Sequence, residues 1–247
     1  MNNTLYISLS RQTALWRQLD VVANNMANMN TTAFKADNSL FSQYLVKTPN
    51  GSTPDKTLAF TQDYGLVEDF SEGPMSATSN PLDVAIHGDG FFVLEGSDGE
   101  TYSRDGQFKL NSDGMLVNSD NLPVLSTNNA PIFLAPNEQD IEIARDGTVS
   151  TENGEIGKIK IVAFEDNQKL TKTYGSLYAT TKDNPAKEVE TVNVEQGMLE
   201  QSNVQPINEI TKMISLQRSY GNVQQMIDSE YERLGKAIDV LSARANR

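Results

Sequence analysis

Two stretches at opposite ends of the chain place apolar residues on one helical face. Near the start, Leu5, Leu9, Gln12, Trp16, Leu19, Ala23 and Met26 follow alternating steps of four and three. Near the finish, Met213, Leu216, Tyr220, Val223, Ile227, Glu230, Leu234, Ala237 and Leu241 follow steps of three and four. Each set keeps a seven-residue repeat with a polar break, Gln12 in one and Glu230 in the other. Such a repeat is the seam of a helix that packs on other helices along its length. One buried face of an ordinary globular helix leaves the same mark. Placement at both termini, where chains fray unless something ties them down, favours the arms of an assembly.

The pattern predicts a helix over 3–28. It stops in Asn24, Asn25, Asn28, Asn30 and Thr31-Thr32, residues that hydrogen-bond their own backbone in competition with a helix. A second helix is expected over about 206 to 243. Pro206 suits its first position, and Glu209 sits near the positive end of its dipole. Pro49, Asn50, Gly51 and Pro54 mark a linker over 48–56.

From Leu82 to Leu199 short apolar or alternating runs are divided by turn residues, and no helical period survives. Asp-Gly pairs recur at 98–99, 105–106, 113–114 and 146–147, the strongest short hairpin signal. The predicted class is α+β: N- and C-terminal helices forming a coiled-coil-like arm, with a central all-β domain of short strands. The expected division is a helical arm at 1–47, a linker or extended segment at 48–80, the β domain at 81–200 and a second helical arm at 201–247.

Charge sharpens that division. Residues 1–47 hold four basic and two acidic side chains, and 206–247 hold six and five, whereas 48–205 hold ten and 26. Near-neutral arms can crowd together without strong self-repulsion while an acidic middle stays solvated. A pI near 4.5 and the lack of a basic stripe argue against nucleic acid as a partner. No apolar run approaches the roughly 18 residues of a membrane span, so membrane insertion is not expected. The opening Met1-Asn2-Asn3-Thr4 lacks the marks of a cleaved signal peptide. With no cysteine in the chain, disulfides and thiolate metal sites are excluded.

No catalytic, cofactor or metal site is expected, and no small-molecule substrate. His87, the one histidine, is expected at a turn or rim, since alone it makes no recognisable metal or triad set. Gly88-Asp89-Gly90 lacks the third glycine of a nucleotide-binding fingerprint and runs into strand-like Phe91-Phe92-Val93-Leu94. Asn111-Ser112-Asp113-Gly114 and Asn118-Ser119-Asp120 read as hairpin turns, having too few acidic positions for a calcium loop. Trp16 reads as a packing anchor.

Several segments then resemble a known family. Ala23-Asn24-Asn25-Met26-Ala27-Asn28, followed by Thr31-Thr32-Ala33-Phe34-Lys35, resembles the N-terminal signature of flagellar axial proteins of the rod and hook. Leu82-Asp83-Val84-Ala85-Ile86 with Gly88-Asp89-Gly90-Phe91-Phe92 resembles the entry to their β domain, and Tyr102 to Phe108 and Asp113 to Val117 its continuation. Gly197-Met198-Leu199-Glu200 with Ser202-Asn203-Val204, then Gln217-Arg218-Ser219-Tyr220, resembles the C-terminal signature. Length and the opening Leu5-Tyr6-Ile7-Ser8-Leu9-Ser10 look most like the proximal-rod members, with distal-rod and hook-type members as alternatives.

The resemblance implies a structural subunit that assembles with copies of itself and with other rod subunits. It also implies passage through the type III export apparatus and a place in the periplasm-spanning rod, terminal helices innermost. Seams and signatures together assign an assembly interface to Leu5, Leu9, Trp16, Leu19, Ala23, Asn24, Asn25, Met26, Asn28, Phe34, Met213, Leu216, Gln217, Arg218, Tyr220, Val223, Ile227, Leu234 and Leu241. One departure stands out: Ala33 occupies a position where the family usually has glycine, so a left-handed backbone there would carry strain of about 1 kcal/mol. The reading from another class is a soluble, adhesin-like β binding module whose terminal helices pair only with each other.

Overall fold

Helix α1 spans Asn3–Ala27 and helix α2 Pro206–Ala245 in the computed structural model, close to the limits that periodicity predicts. Residues 3–47, 57–97, 99–135, 140–189 and 192–245 are described; the linker expected at 48–56 lies outside them. The chain is α+β, with its two helices at the ends and β structure between. Its contacts separate two units interleaved along the sequence. One comprises Met1–Ala27, Asp37–Val67 and Gln205–Arg247; the other comprises Asn28–Ala36 and Glu68–Val204.

In the first unit α1 and α2 run antiparallel, as their contacts show. Ser8 Oγ lies 3.8 Å from Met226 Sδ, Gln12 Nε2 donates to Gln224 Oε1 at 2.6 Å, and the rings of Trp16 and Tyr220 are 6.2 Å apart. Farther along, Asn25 Nδ2 reaches Glu209 Oε2 at 3.4 Å. Partner numbers fall on α2 as they rise on α1, so the last dozen or so residues of α2 run past the start of α1, about 20 Å at 1.5 Å per residue. Strands β1 (Asp37–Lys47) and β2 (Thr57–Glu68) form a two-stranded sheet. The sequence reading placed a helical arm and then a linker or extended segment here. The strand signal was weak because Asn38, Ser39, Ser42 and Gln43 interrupt the apolar alternation.

The second unit holds β3 (Met75–Ala77), β4 (Val84–Ile86), β5 (Phe91–Gly96) and β6 (Gly99–Ser103) among its strands. Its largest sheet has six strands in the order Thr171–Tyr174, Leu177–Ala179, β6, β5, Ile161–Ala163, Lys187–Glu188. All its pairings are antiparallel. Successive side chains of a strand point to opposite faces, so the unbroken run Phe91-Phe92-Val93-Leu94 feeds two cores. Phe92 and Leu94 join Val84, Ile86, Phe108, Leu116 and Ile159. Phe91 and Val93 join Tyr102, Val162 and Tyr178, with Phe70 and Phe164 packed against them.

Three of the four Asp-Gly glycines lie at hairpin turns: Gly99 as the first residue of β6 where it turns back along β5, Gly114 between Lys109–Leu110 and Leu116–Val117, and Gly147 before Thr148–Thr151. Gly114 has φ 82°, the left-handed backbone such a turn demands. Asn111 and Asn118 both act as turn formers. Asn111 Oδ1 accepts from Asp113 N and Met115 N, and Asn118 Oδ1 from Asp120 N and Leu122 N. The pair at 105–106 departs from the expectation. Gly106 makes a close approach instead, since a Cβ there would lie 1.7 Å from the Val84 carbonyl oxygen.

That approach leaves Asp105 half-buried, and burial pushes its carboxyl up to about 6, helped by the negative charges of Asp120 and Asp83 and opposed by the Gln107 N–H. A carboxyl raised in this way contributes stability that is present below its ordinary 3.8 and lost as pH rises through about 6. Asp105→Asn keeps an acceptor for Gln107 N and removes the charge. It is expected to raise stability at pH 7.5 by about 1–2 kcal/mol, with the gain shrinking toward pH 4 in urea unfolding. A gain independent of pH would contradict this account.

Candidate assembly surfaces and the signature motifs

Alpha-helical geometry turns 100° per residue, so the seam positions of α1, with Ser8, Leu15 and Val22 beside them, spread over an arc about 140° wide, more than one partner helix covers. Helix α2 meets this arc at Ser8, Gln12 and Trp16. Ser8, Leu15 and Val22 are buried at seven-residue spacing, Leu15 to 1% exposure, while Leu5, Gln12, Leu19 and Met26 are half-buried. The other edge is open: Leu9 is 56% exposed, Trp16 57%, and Ala23 is exposed too. Beside Leu9 lies a groove of about 420 Å³, lined by Tyr6, Ala14, Phe60 and Thr61 among others.

On α2, Met213, Leu216, Tyr220, Val223, Ile227, Glu230 and Leu234 are all half-buried, the set the periodicity selects. Gln217, Arg218 and Ala237 are exposed, and the Leu241 side chain lies outside the described residues. Ile207, Ile210 and Ile214 are exposed on a second side of the helix, and Ile238 and Val240 near its end. The β1–β2 sheet adds exposed Leu40, Tyr44, Tyr64 and Leu66, each pair on one face of its strand, and Leu45 on the opposite face of β1. Sequence reasoning missed these. The alternation of Leu40 and Tyr44, and of Tyr64 and Leu66, was the available signal.

The asparagine motif has an internal role. Asn25, 1% exposed, pairs its amide with the backbone of Asp37: Oδ1 accepts from Asp37 N and Nδ2 donates to Asp37 O, both at 2.9 Å. A helix residue thereby satisfies both polar groups at the start of β1. Asn24 is exposed and Met26 half-buried.

In the second unit the N- and C-terminal signatures meet. Asn28 O accepts from Thr31 N at 3.1 Å, and Ala33 follows with φ 54°, left-handed and buried, its N–H donating to Glu200 O at 2.8 Å. Of the two possibilities at this alanine, a left-handed backbone or another turn, the left-handed one is present. Phe34 is buried under Lys172, whose Nζ lies 4.6 Å from the ring centroid. Lys35 Nζ reaches Glu200 Oε1 at 2.6 Å and Ser71 O at 2.7 Å; Arg104 Nε reaches Glu200 Oε2 at 2.9 Å; Gly73 N donates to Glu200 Oε1 at 2.9 Å. Burial lowers the pKa of Lys35, with Glu200 pulling the other way. Asn203 completes the junction, accepting from Ala36 N at 2.8 Å and donating to Asp69 O at 2.7 Å.

Asn25 and Phe34, expected at an assembly interface, are thus placed inside the chain by their own partners, whereas Leu9, Trp16, Ala23, Gln217 and Arg218 are accessible. Lys35, Arg104, Glu200 and Asn203 escaped the sequence reading as a cluster, because no spacing rule links positions so far apart.

Three family models match the chain: flagella basal body rod protein over residues 5–35, flagellar hook protein FlgE/F/G D1 domain over 85–151, and flagellar basal body rod FlgEFG protein C-terminal over 195–240. The chain is 41% identical to flagellar basal-body rod protein FlgF of Caulobacter vibrioides over 96% of its length and 99% of the relative's. It is 30% identical to FlgF of Mesorhizobium japonicum, covering 99% of the chain and 100% of the relative. Flagellar basal-body rod protein FlgG of Bacillus subtilis is also 30% identical, over 97% of the chain and 99% of the relative.

Two substitutions test the junction in opposite directions. Glu200→Ala leaves Lys35 and Arg104 buried without their counter-charge and is expected to lose about 3–5 kcal/mol. Ala33→Gly removes the left-handed strain and is expected to gain up to about 1 kcal/mol. Urea unfolding of the purified chain reads both; a loss under about 1 kcal/mol for Glu200→Ala would refute the assignment.

Proposed function

The chain belongs to the flagellar basal-body rod protein family, and on that premise we propose that it is the proximal-rod subunit, joined to copies of itself and to other axial proteins through its terminal helices. Family membership makes it a structural component of the bacterial flagellar basal body. The observation that carries the finer reading is the divided apolar arc of α1. One edge, Ser8, Leu15 and Val22, is buried, and the other, Leu9, Trp16 and Ala23, stays exposed even though the Trp16 ring meets Tyr220. Stable monomers seldom leave such a stripe open without a partner for it.

In this reading α1 and α2 form a coiled-coil-like pair whose outer faces meet neighbouring subunits. Ile207, Ile210 and Ile214 serve the same end on α2, and Gln217 and Arg218 supply polar contacts at the rim. Leu5, Leu19, Met213, Leu216, Tyr220, Val223, Ile227 and Leu234 hold the pair itself together. Export runs through the type III apparatus without a cleaved signal peptide, and the role is structural rather than enzymatic. Likeness to a FlgG at 30% identity over nearly the whole chain supports the distal rod as a second reading. A free-standing adhesin-like module is set aside, because the relatives match from end to end.

Leu9→Asp tests the open edge. Leu9 is exposed, so the isolated chain should keep its stability within about 1 kcal/mol. Repeated in every subunit, the buried charge should abolish rod assembly and swimming in cells that depend on this protein. Normal motility with Leu9→Asp and with Ala23→Asp would sink the proposal.

A further inference from the structure

The strip 69–74 is anchored on one side by the junction described above: Asp69 O to Asn203, Ser71 O to Lys35, Gly73 N to Glu200. It is also packed tightly, since a Cβ on Gly73 would lie 2.0 Å from the Gln201 carbonyl oxygen. Glu72, between these anchors, reaches a different set of partners. Its Oε1 lies 3.1 Å from His87 Nδ1, and its Oε2 accepts from Gly88 N at 3.4 Å. The second ring nitrogen, His87 Nε2, lies 3.1 Å from Glu195 Oε2. Glu195 sits on strand Val194–Gln196, which pairs with β4, and His87 directly follows β4. The imidazole therefore bridges two carboxylates from parts of the chain far apart in sequence.

That geometry works fully in only one protonation state. A neutral imidazole has a single N–H; whichever carboxylate it serves, the other faces a lone pair and is repelled. The imidazolium donates to both. Opposite placement of the two carboxylates, one on each ring nitrogen, also makes this an ion-pair bridge rather than a convergent set of metal ligands. Other charges nearby are already engaged: Lys35 with Glu200, and Arg104 with Glu200 and with the carbonyls of Gly88 and Gly90 at 2.7 Å each.

We propose that His87, Glu72 and Glu195 form a proton-operated latch that fastens the 69–74 strip at mildly acidic pH and releases it as pH rises. The latch is a property of the β unit and does not rest on the assembly reading above. Hydrogen bonding to Glu195 is the main influence holding the His87 pKa above its ordinary 6.5; burial opposes it, and Glu195 charge and Glu72 reinforce it. A histidine raised in the fold contributes stability that is fully present below 6.5 and lost as pH rises through the raised value. The Glu72 half of the bridge ties the strip on the side that the junction with Glu200 and Asn203 does not hold.

Because the chain has one histidine, its imidazole resonances are unambiguous by NMR. In the full-length protein the His87 titration midpoint is expected above 6.5, falling toward 6.5 in Glu195→Gln and further in Glu72→Gln/Glu195→Gln. Amide protection factors at Gly73 and Gly88, corrected for intrinsic exchange, should be several-fold higher at pH 5.5 than at pH 8.0. That difference should vanish in His87→Gln and in Glu72→Gln, while any pH effect from Asp105 persists in both. A midpoint at or below 6.5, a midpoint indifferent to both glutamates, or protection that does not change with pH would each overturn the latch.

Discussion

The buried carboxylate of Glu200 is the contact on which the β unit is organised. It accepts from Lys35, Gly73 and Arg104, and its carbonyl accepts from Ala33. These partners lie 165, 127 and 96 residues away for the three side-chain contacts. Taking an ion out of water costs several kcal/mol, recovered only when geometry is good and the remaining lone pairs are met. Here both carboxylate oxygens are met, Arg104 goes on to hold the Gly88 and Gly90 carbonyls, and Lys35 holds Ser71. A hydrophobic replacement could supply comparable stability, but it would not select these four segments from the many ways a loosely patterned β sequence can pair. Specificity of pairing is the better reason for burying charge at this point.

Apolar economy in the helical unit follows a different logic. Two readings of the terminal helices, pairing with each other or pairing with neighbours, looked like rivals at the level of pattern. Antiparallel packing of α1 on α2 engages Ser8, Gln12 and Trp16, yet Leu9, Trp16 and Ala23 remain exposed. The first pairing is present, and the residues left exposed keep room for the second. Among the described residues no helix is long and apolar enough to cross a membrane, so the open stripe is not a spanning segment.

Legibility of the fold varied with how local the signal was. Both helices could be placed within a few residues because period and caps are written into consecutive positions. Periodicity selected residues that are half-buried on α2 from Met213 to Leu234, whereas on α1 it passed over buried Ser8, which looks polar, and included exposed Leu9, Trp16 and Ala23. Strands flanking Phe91 to Leu94 and the turns at Gly99, Gly114 and Gly147 were visible, as runs and turn residues are local too. Strands β1 and β2 were announced only by a weak alternation, diluted by Asn38, Ser39 and Ser42 in β1 and by Gln62, Asp63 and Gly65 in β2. The ion cluster around Glu200 and the carboxylates beside His87 were invisible for a stricter reason: they exist only once distant segments meet. Composition also drew the β domain from 81 to 200, whereas the compact unit takes in 28–36 and 68–80, because Lys35 and the 69–74 strip belong to its interior contacts.

The interleaving of the two units bears on how such a gene can be reshuffled. The chain passes from one unit to the other after Ala27, Ala36, Val67 and Val204, so neither unit corresponds to a continuous stretch of coding sequence. A single exchange between related genes that falls between 68 and 199 separates Lys35 from its partner Glu200. An exchange placed after Val204 keeps the β unit whole but gives α1 a foreign α2. Hybrids that survive must match at both junctions at once, which favours inheritance of the whole reading frame over the trading of modules.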